Sequence, residues 1–115
     1  MRLPNHQSAL VPRRKLTHYL LSPTHRAGKH KAAFFTRFGF SAADWLELEA
    51  ALLRHAATHD VTEIVPSPFG TRYVVDGIMV VPDGREPVVR AVWFIETGGT
   101  VPRLVTAYPL ERRSR

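Results

Sequence analysis

The sequence predicts an α+β fold in which N-terminal helices pack on one face of a three- to four-stranded antiparallel sheet. Three observations carry that prediction. Apolar residues recur at helical spacing only up to His59. From Val61 onward the chain changes to β-branched and alternating segments. Short turn-forming stretches, Pro82-Asp83-Gly84 and Gly98-Gly99 among them, join these segments, which favours an antiparallel meander over a crossover topology.

Each element follows from its local pattern. Leu3–Val11 reads as a short hairpin turning near Asn5. Pro12 suits the first position of a helix, where no backbone N–H is needed, and Leu16, Tyr19 and Leu20 follow at i, i+3 and i+4. A short helix is therefore expected over residues 12–21, broken by Ser22-Pro23-Thr24-His25. A second helix is expected over 28–38, with Ala32, Phe35 and Phe38 on one face and Gly39 as its stop. Ser41-Ala42-Ala43-Asp44 has capping-box spacing, with Asp in place of Glu, and opens a third helix. Trp45, Leu48, Leu52 and Ala56 form its apolar stripe.

Strands are expected over Val61–Val65, ended by Pro66-Ser67-Pro68, and over Arg72–Val81, bulged at Gly77. In Val88–Glu96 one face carries Val89, Ala91, Trp93 and Ile95, and the other Val88, Arg90, Val92 and Phe94. Leu104–Tyr108 is the last strand, ended by Pro109. Residues 1–110 read as a single domain, and 111–115 as a disordered basic tail.

Composition narrows the function. At 115 residues, 44% hydrophobic and 23% charged, the chain has globular composition. The absence of cysteine excludes a disulfide framework, a thiolate zinc site and a cysteine nucleophile. No apolar run reaches the ~18 residues of a membrane span, and MRLPNHQSAL lacks a signal-peptide h-region, so a soluble cytoplasmic protein is expected. No P-loop, GxGxxG, GxSxG or carboxylate pair appears, which argues against nucleotide hydrolysis, acyl transfer and two-metal nuclease chemistry.

The net charge of +6 is unevenly distributed. Residues 1–40 carry +8, no acidic residue and four of the six histidines; residues 41–70 carry −4 and residues 71–115 carry +2. A polyanion is drawn to the first third, and the acidic middle is expected to face away from it.

Chemistry concentrates at His25-Arg26-Ala27-Gly28-Lys29-His30-Lys31. Lys29, His30 and Lys31 fall in the first turn of the second helix, where cations oppose the macrodipole and an anion such as phosphate is favoured. Imidazole titrates near neutrality, so His25 and His30 are candidates for general base and general acid beside a phosphate. On the strands, Arg72, Tyr73, Arg90, Thr106 and Tyr108 form a candidate phosphate and base-stacking surface, while Trp93 is assigned to the core. His55 and His59 have metal-ligand spacing. No Glu follows His55 and no third ligand is evident, so both read as structural and no metal site or cofactor is expected.

HRAGKHKAAFF at His25–Phe35, Arg72-Tyr73-Val74-Val75, Val89-Arg90-Ala91-Val92-Trp93 and Pro102-Arg103-Leu104-Val105-Thr106-Ala107-Tyr108 together resemble an uncharacterised family of small bacterial proteins, a domain of unknown function. The resemblance spans nearly the whole chain and draws Arg103 into the phosphate-binding set. Arg26 departs from it, standing where the family has proline. The layout is also similar to the barnase–EndoU–colicin–RelE group of metal-independent ribonucleases, many of them toxins. That similarity implies an endoribonuclease, the toxin of a toxin–antitoxin pair, with RNA as substrate and a small acidic antitoxin-like protein as partner. In that scheme His25, His30, Lys31, Arg90 and Tyr108 are catalytic, and Lys29, Arg72, Tyr73, Arg103 and Thr106 bind RNA. The alternative is a non-enzymatic basic module that docks an acidic protein or nucleic acid.

Overall fold

The computed structural model describes residues 1–22, 24–26 and 29–110. Pro23, Ala27, Gly28 and the expected basic tail 111–115 lie outside the described residues, as does the expected helix start at 28. Helix α1 (Arg13–Lys15) runs into a π-helical turn (Leu16–Leu20), followed by α2 (Lys29–Arg37) and α3 (Trp45–Thr58). Strands β1 (Val61–Ser67), β2 (Gly70–Ile78), β3 (Val88–Glu96) and β4 (Arg103–Pro109) then form one antiparallel sheet in the order β1-β2-β3-β4. This is the α+β architecture the patterning predicts.

The core forms between the helical layer and one sheet face. Leu48, Leu52 and Ala56 of α3 and Phe35 of α2 pack with Val75, Val89, Ala91, Trp93, Leu104 and Ala107 from the sheet. Trp93, Phe35, Leu48 and Leu52 are completely enclosed. The acidic Glu47 and Glu49 ride on α3, in the helical layer, but the acidic middle does not lie wholly away from the opposite sheet face, because Glu63 on β1 shares that face with Arg72 and Arg90.

Four local expectations are corrected. The N-terminal segment is not a hairpin. Asn5 adopts the left-handed conformation at φ 56° and its side-chain amide donates to the Thr100 carbonyl at 2.8 Å. That turns the chain into a 3-10 segment at His6–Ser8, after which Leu10 bridges Arg103 in parallel. The first helix does not stay α-helical: Leu21 N–H donates to Leu16 C=O at 2.8 Å, an i+5 bond that widens the turn. This widening keeps Leu16, Leu20 and Leu21 in the core while Tyr19 reaches the sheet.

Proline does not end β1 at Val65. Pro66 pairs with Thr71 inside the strand, which an edge strand tolerates because its missing N–H takes no bond from a neighbour. The strand at Gly77 is not bulged: Gly77 stands in register with Val89. The register shifts fall instead between Val61 and Glu63 and opposite the Val92–Trp93 step. Glycine is required at 77 for a different reason, since a Cβ there would overlap the His59 ring.

His55 and His59 are structural. His55 is buried, and its Nε2–H is shared between the carbonyls of Gly77 (3.1 Å) and Val89 (2.9 Å). Its Nδ1 is buried without a partner among the described residues. Burial, then the nearby His59 charge, lowers the His55 pKa, against the opposing pull of the two carbonyls and Asp76. The ring is therefore neutral, with its proton on Nε2. His59 Nδ1–H donates to the His55 carbonyl at 2.9 Å.

Candidate functional site

The sheet face turned away from the core carries the polar side chains. Asp76, Arg90 and Tyr108 occupy one row of facing positions across β2, β3 and β4. Val74, Val92 and Thr106 occupy the next row. Alternation along the strands thus puts Arg90 opposite in face to Trp93, and Thr106 and Tyr108 on the same face.

Arg90 is held by Asp76 through two parallel bonds, Nε to Oδ1 at 2.8 Å and Nη2 to Oδ2 at 2.9 Å. Thr62 adds a hydroxyl bond to Asp76 Oδ2 at 3.3 Å, made available by the register shift in β1. The Arg90 bonds, followed by a smaller opposing effect of burial, hold the Asp76 carboxyl below the usual carboxylate range. The Arg90 pKa is raised, first by Asp76 and, against burial, also by a hydrogen bond with Tyr108. Arg90 is therefore held by a fixed carboxylate on one side and faces Tyr108 on the other.

The helices close this face from the β4 side. The Tyr19 hydroxyl shares a hydrogen bond with Thr106 Oγ1 at 3.2 Å. Lys31 Nζ lies 5.4 Å from the centre of the Tyr19 ring and 5.8 Å from that of Tyr108. Lys15 Nζ stands 5.0 Å from the Tyr19 ring, and the His25 ring meets it edge-on at 5.1 Å. Burial raises the Tyr19 pKa, but the bonds to Thr106 and Lys31 and the charges of Lys31 and Lys15 outweigh it, so the net shift is downward.

His30 and Lys31, from the first turn of α2, share a shallow hollow with Tyr108 and Pro109. His25 borders a second hollow with Lys15, His18 and Tyr19. The two histidines thus stand at two hollows that adjoin one Lys31–Tyr19–Tyr108 cluster. The Lys29 N–H donates to the His25 carbonyl at 2.9 Å, so one first-turn donor of α2 is already used.

The structure brings together His25, His30, Lys31, Arg90, Thr106 and Tyr108, with Arg72 lining the same open face. Three other sequence candidates stand apart. Tyr73 faces Trp93 across the ladder and packs against the core. Arg103 is five positions along β4 from Tyr108, roughly 16 Å by strand rise, beside Glu96 and Thr100. Lys29 is exposed.

Tyr19, Lys15 and Asp76 belong to the cluster and were not singled out by the sequence. Tyr19 shares the helical spacing of Leu16 and Leu20 and so reads as core. The signal for Asp76 is its alternation with Arg72 and Val74, which puts it on the face of Arg90 once the strands are paired.

Among the described residues, no group of three His, Cys, Asp or Glu side chains is placed to hold a metal ion. None of their helices is long and apolar enough to cross a membrane.

The chain belongs to the family described as domain of unknown function (DUF6883), whose model matches residues 2–111. Its fold is similar to that of a chain in the contact-dependent growth inhibition toxin–immunity protein complex from Klebsiella pneumoniae 342. That likeness has a TM-score of 0.71 at 12% identity, over 93% of this chain and 97% of that one. No curated protein matches the chain.

Proposed function

We propose that this protein is a metal-independent endoribonuclease, the toxin of a bacterial toxin–antitoxin pair. The observation that carries the reading is the convergence of Lys31, Tyr108 and Arg90 on the open sheet face, with a histidine at each of two adjoining hollows. These are the groups a phosphodiester transesterification uses: a proton acceptor, a proton donor and cations beside the phosphate.

In the proposed reaction, His25 or His30 takes the proton from an RNA 2′-OH as the oxygen attacks the adjacent phosphorus. Lys31 offsets the charge that grows on the phosphorane. The bond from phosphorus to the 5′-oxygen breaks, and that oxygen takes a proton from the second histidine or from Tyr108. The products are a 2′,3′-cyclic phosphate and a free 5′-hydroxyl. With two donors engaged by Asp76, Arg90 contributes through its remaining N–H groups, beside Tyr108 on the neighbouring strand. The similarly folded chain belongs to a complex of a toxin with its immunity protein. That supports an acidic protein inhibitor seated on the basic face here.

The test is incubation of the purified protein with single-stranded RNA in EDTA. Cleavage to cyclic-phosphate ends is expected, reduced roughly 100-fold or more in Lys31→Ala and in the double variant His25→Ala/His30→Ala. No cleavage by the wild type, or cleavage unchanged in these variants, overturns the mechanism. Salt-sensitive RNA binding without turnover, weakened in graded steps, would instead identify a basic binding module.

A further inference from the structure

We propose that the hollow running from Tyr108 across the sheet to Glu63 is a nucleobase subsite that selects guanine in single-stranded RNA. The inference rests on the ribonuclease reading and names the substrate feature that the site would recognise.

The hollow has a volume of about 340 Å³, within the range of small-ligand sites. Its floor is aliphatic. Val74 and Val92 lie side by side in it and are only 5% and 8% exposed, although they sit on the sheet face opposite the core. These two adjacent β-branched side chains, sunk between longer neighbours, form the apolar bottom of the hollow. At one end Thr106 and Tyr108 join the hollow to the Lys31 cluster.

The other end carries two exposed charges, Glu63 and Arg72. Glu63 stands opposite Val74, and Arg72 is two residues along β2, opposite Val65. Such diagonal neighbours are ~7–8 Å apart, within reach of long side chains. Yet among the described residues Glu63 and Arg72 form neither an ion pair nor a side-chain hydrogen bond with each other. Asp76 shows the contrast, since the same face neutralises it with Arg90. An uncompensated carboxylate repels a polyanion unless it receives hydrogen bonds from the ligand.

Guanine supplies them. It is the only common base with two adjacent donors, N1–H and the 2-amino group, matched to the two oxygens of a carboxylate. Its O6 and N7 are the acceptors that an arginine fork pairs with. Glu63 and Arg72 together therefore complement one guanine and leave a mismatched donor or acceptor with each other base. Because the Glu63 contact uses the base-pairing edge, the base must be unpaired. Three strand spacings separate β1 from β4, roughly 14 Å. One nucleotide bridges that span, with its base at Glu63 and its phosphate at Lys31.

Two measurements test the subsite. The first maps cleavage on an RNA containing every dinucleotide step. Cleavage beside guanine at least tenfold above the other bases is expected, with that ratio reduced at least tenfold in Glu63→Gln. Cleavage indifferent to base, or the same guanine preference in Glu63→Gln, overturns the subsite and leaves the ribonuclease reading intact. The second is an NMR titration of the wild type with the four 3′-mononucleotides. It should show tightest binding by 3′-GMP, shifts at the Val74 and Val92 methyls, and loss of that advantage in Glu63→Gln. If no RNA is cleaved, the ribonuclease reading fails and this titration alone decides the subsite. Equal affinity for the four nucleotides, or 3′-GMP binding unaffected by Glu63→Gln, overturns it.

Discussion

Asp76 and Arg90 face each other across β2 and β3 and join through two parallel hydrogen bonds of 2.8 and 2.9 Å. The pair lies on the open face of the sheet and orients a guanidinium that also reaches Tyr108. A fixed ion pair of this kind removes one positive charge from the face and holds the guanidinium in one orientation.

Replacing the carboxylate tests that coupling. Asp76→Asn leaves a part-buried guanidinium without its counter-charge and is expected to cost about 1–2 kcal/mol, since the pair is partly screened by solvent. The folded pKa of Asp76 is depressed, so its stabilisation is present above the unfolded carboxylate range near 4 and is lost as pH falls through the folded value. Urea denaturation at pH 7 and at pH 3 checks this. The Asn variant should differ from wild type at pH 7 and converge on it in acid. An equal gap at both pH values contradicts the assignment.

Tyr19 should ionise early. Its hydroxyl is bonded to Thr106 and faces the Lys31 and Lys15 ammonium groups, so the phenolate is favoured. In ultraviolet titration one of the three tyrosines is expected to ionise below the usual value near 10. Tyr19→Phe should delete that step, and Lys31→Met should move it upward. A titration curve unchanged by Lys31→Met would show that the lysine does not act on the phenol.

His55 makes stability fall in mild acid. Its folded pKa is lowered chiefly by burial, so the unfolded chain takes up a proton first as pH drops. The loss begins near the unfolded value of about 6.5 and grows as pH falls toward the folded value. His55→Ala should flatten this limb. It should also cost roughly 2–4 kcal/mol at neutral pH, because two strand carbonyls lose their donor and a cavity opens. A variant as stable as wild type at pH 7.5 would contradict the bifurcated bond.

The Gly77–His59 contact predicts coupling. Gly77→Ala puts a methyl group into the His59 ring and is expected to cost about 1–3 kcal/mol. In a His59→Ala background the same change should cost much less, and a double-mutant cycle by thermal unfolding reads the difference. Additive effects would mean that the ring moves aside freely.

Much of this molecule was legible in the sequence because local periodicity reports burial. The stripe Trp45, Leu48, Leu52, Ala56 marks α3, and the alternation in Val88–Glu96 marks β3 with its bounds and puts Trp93 inside. The acid-free first third and its four histidines are equally plain in the sequence. Periodicity fails where a long-range contact overrides it. Asn5 turns left-handed because Thr100 supplies an acceptor 95 residues away. The first helix widens into a π turn, and Pro66 is absorbed by an edge strand.

The same division holds for the site. Chain order alone determined which residue types were available: His25, His30, Lys31, Arg90, Thr106 and Tyr108. Only the tertiary structure decided which of them meet. Pairing register put Asp76 opposite Arg90 and Arg90 opposite Tyr108, and turned Tyr73 inward to the core. Helix packing over β4 brought Tyr19 to Thr106 and Lys31 to Tyr108. Spacing along a strand or helix fixes the face a side chain takes, but the partner across the ladder is set by closure of the whole sheet, which no local window contains.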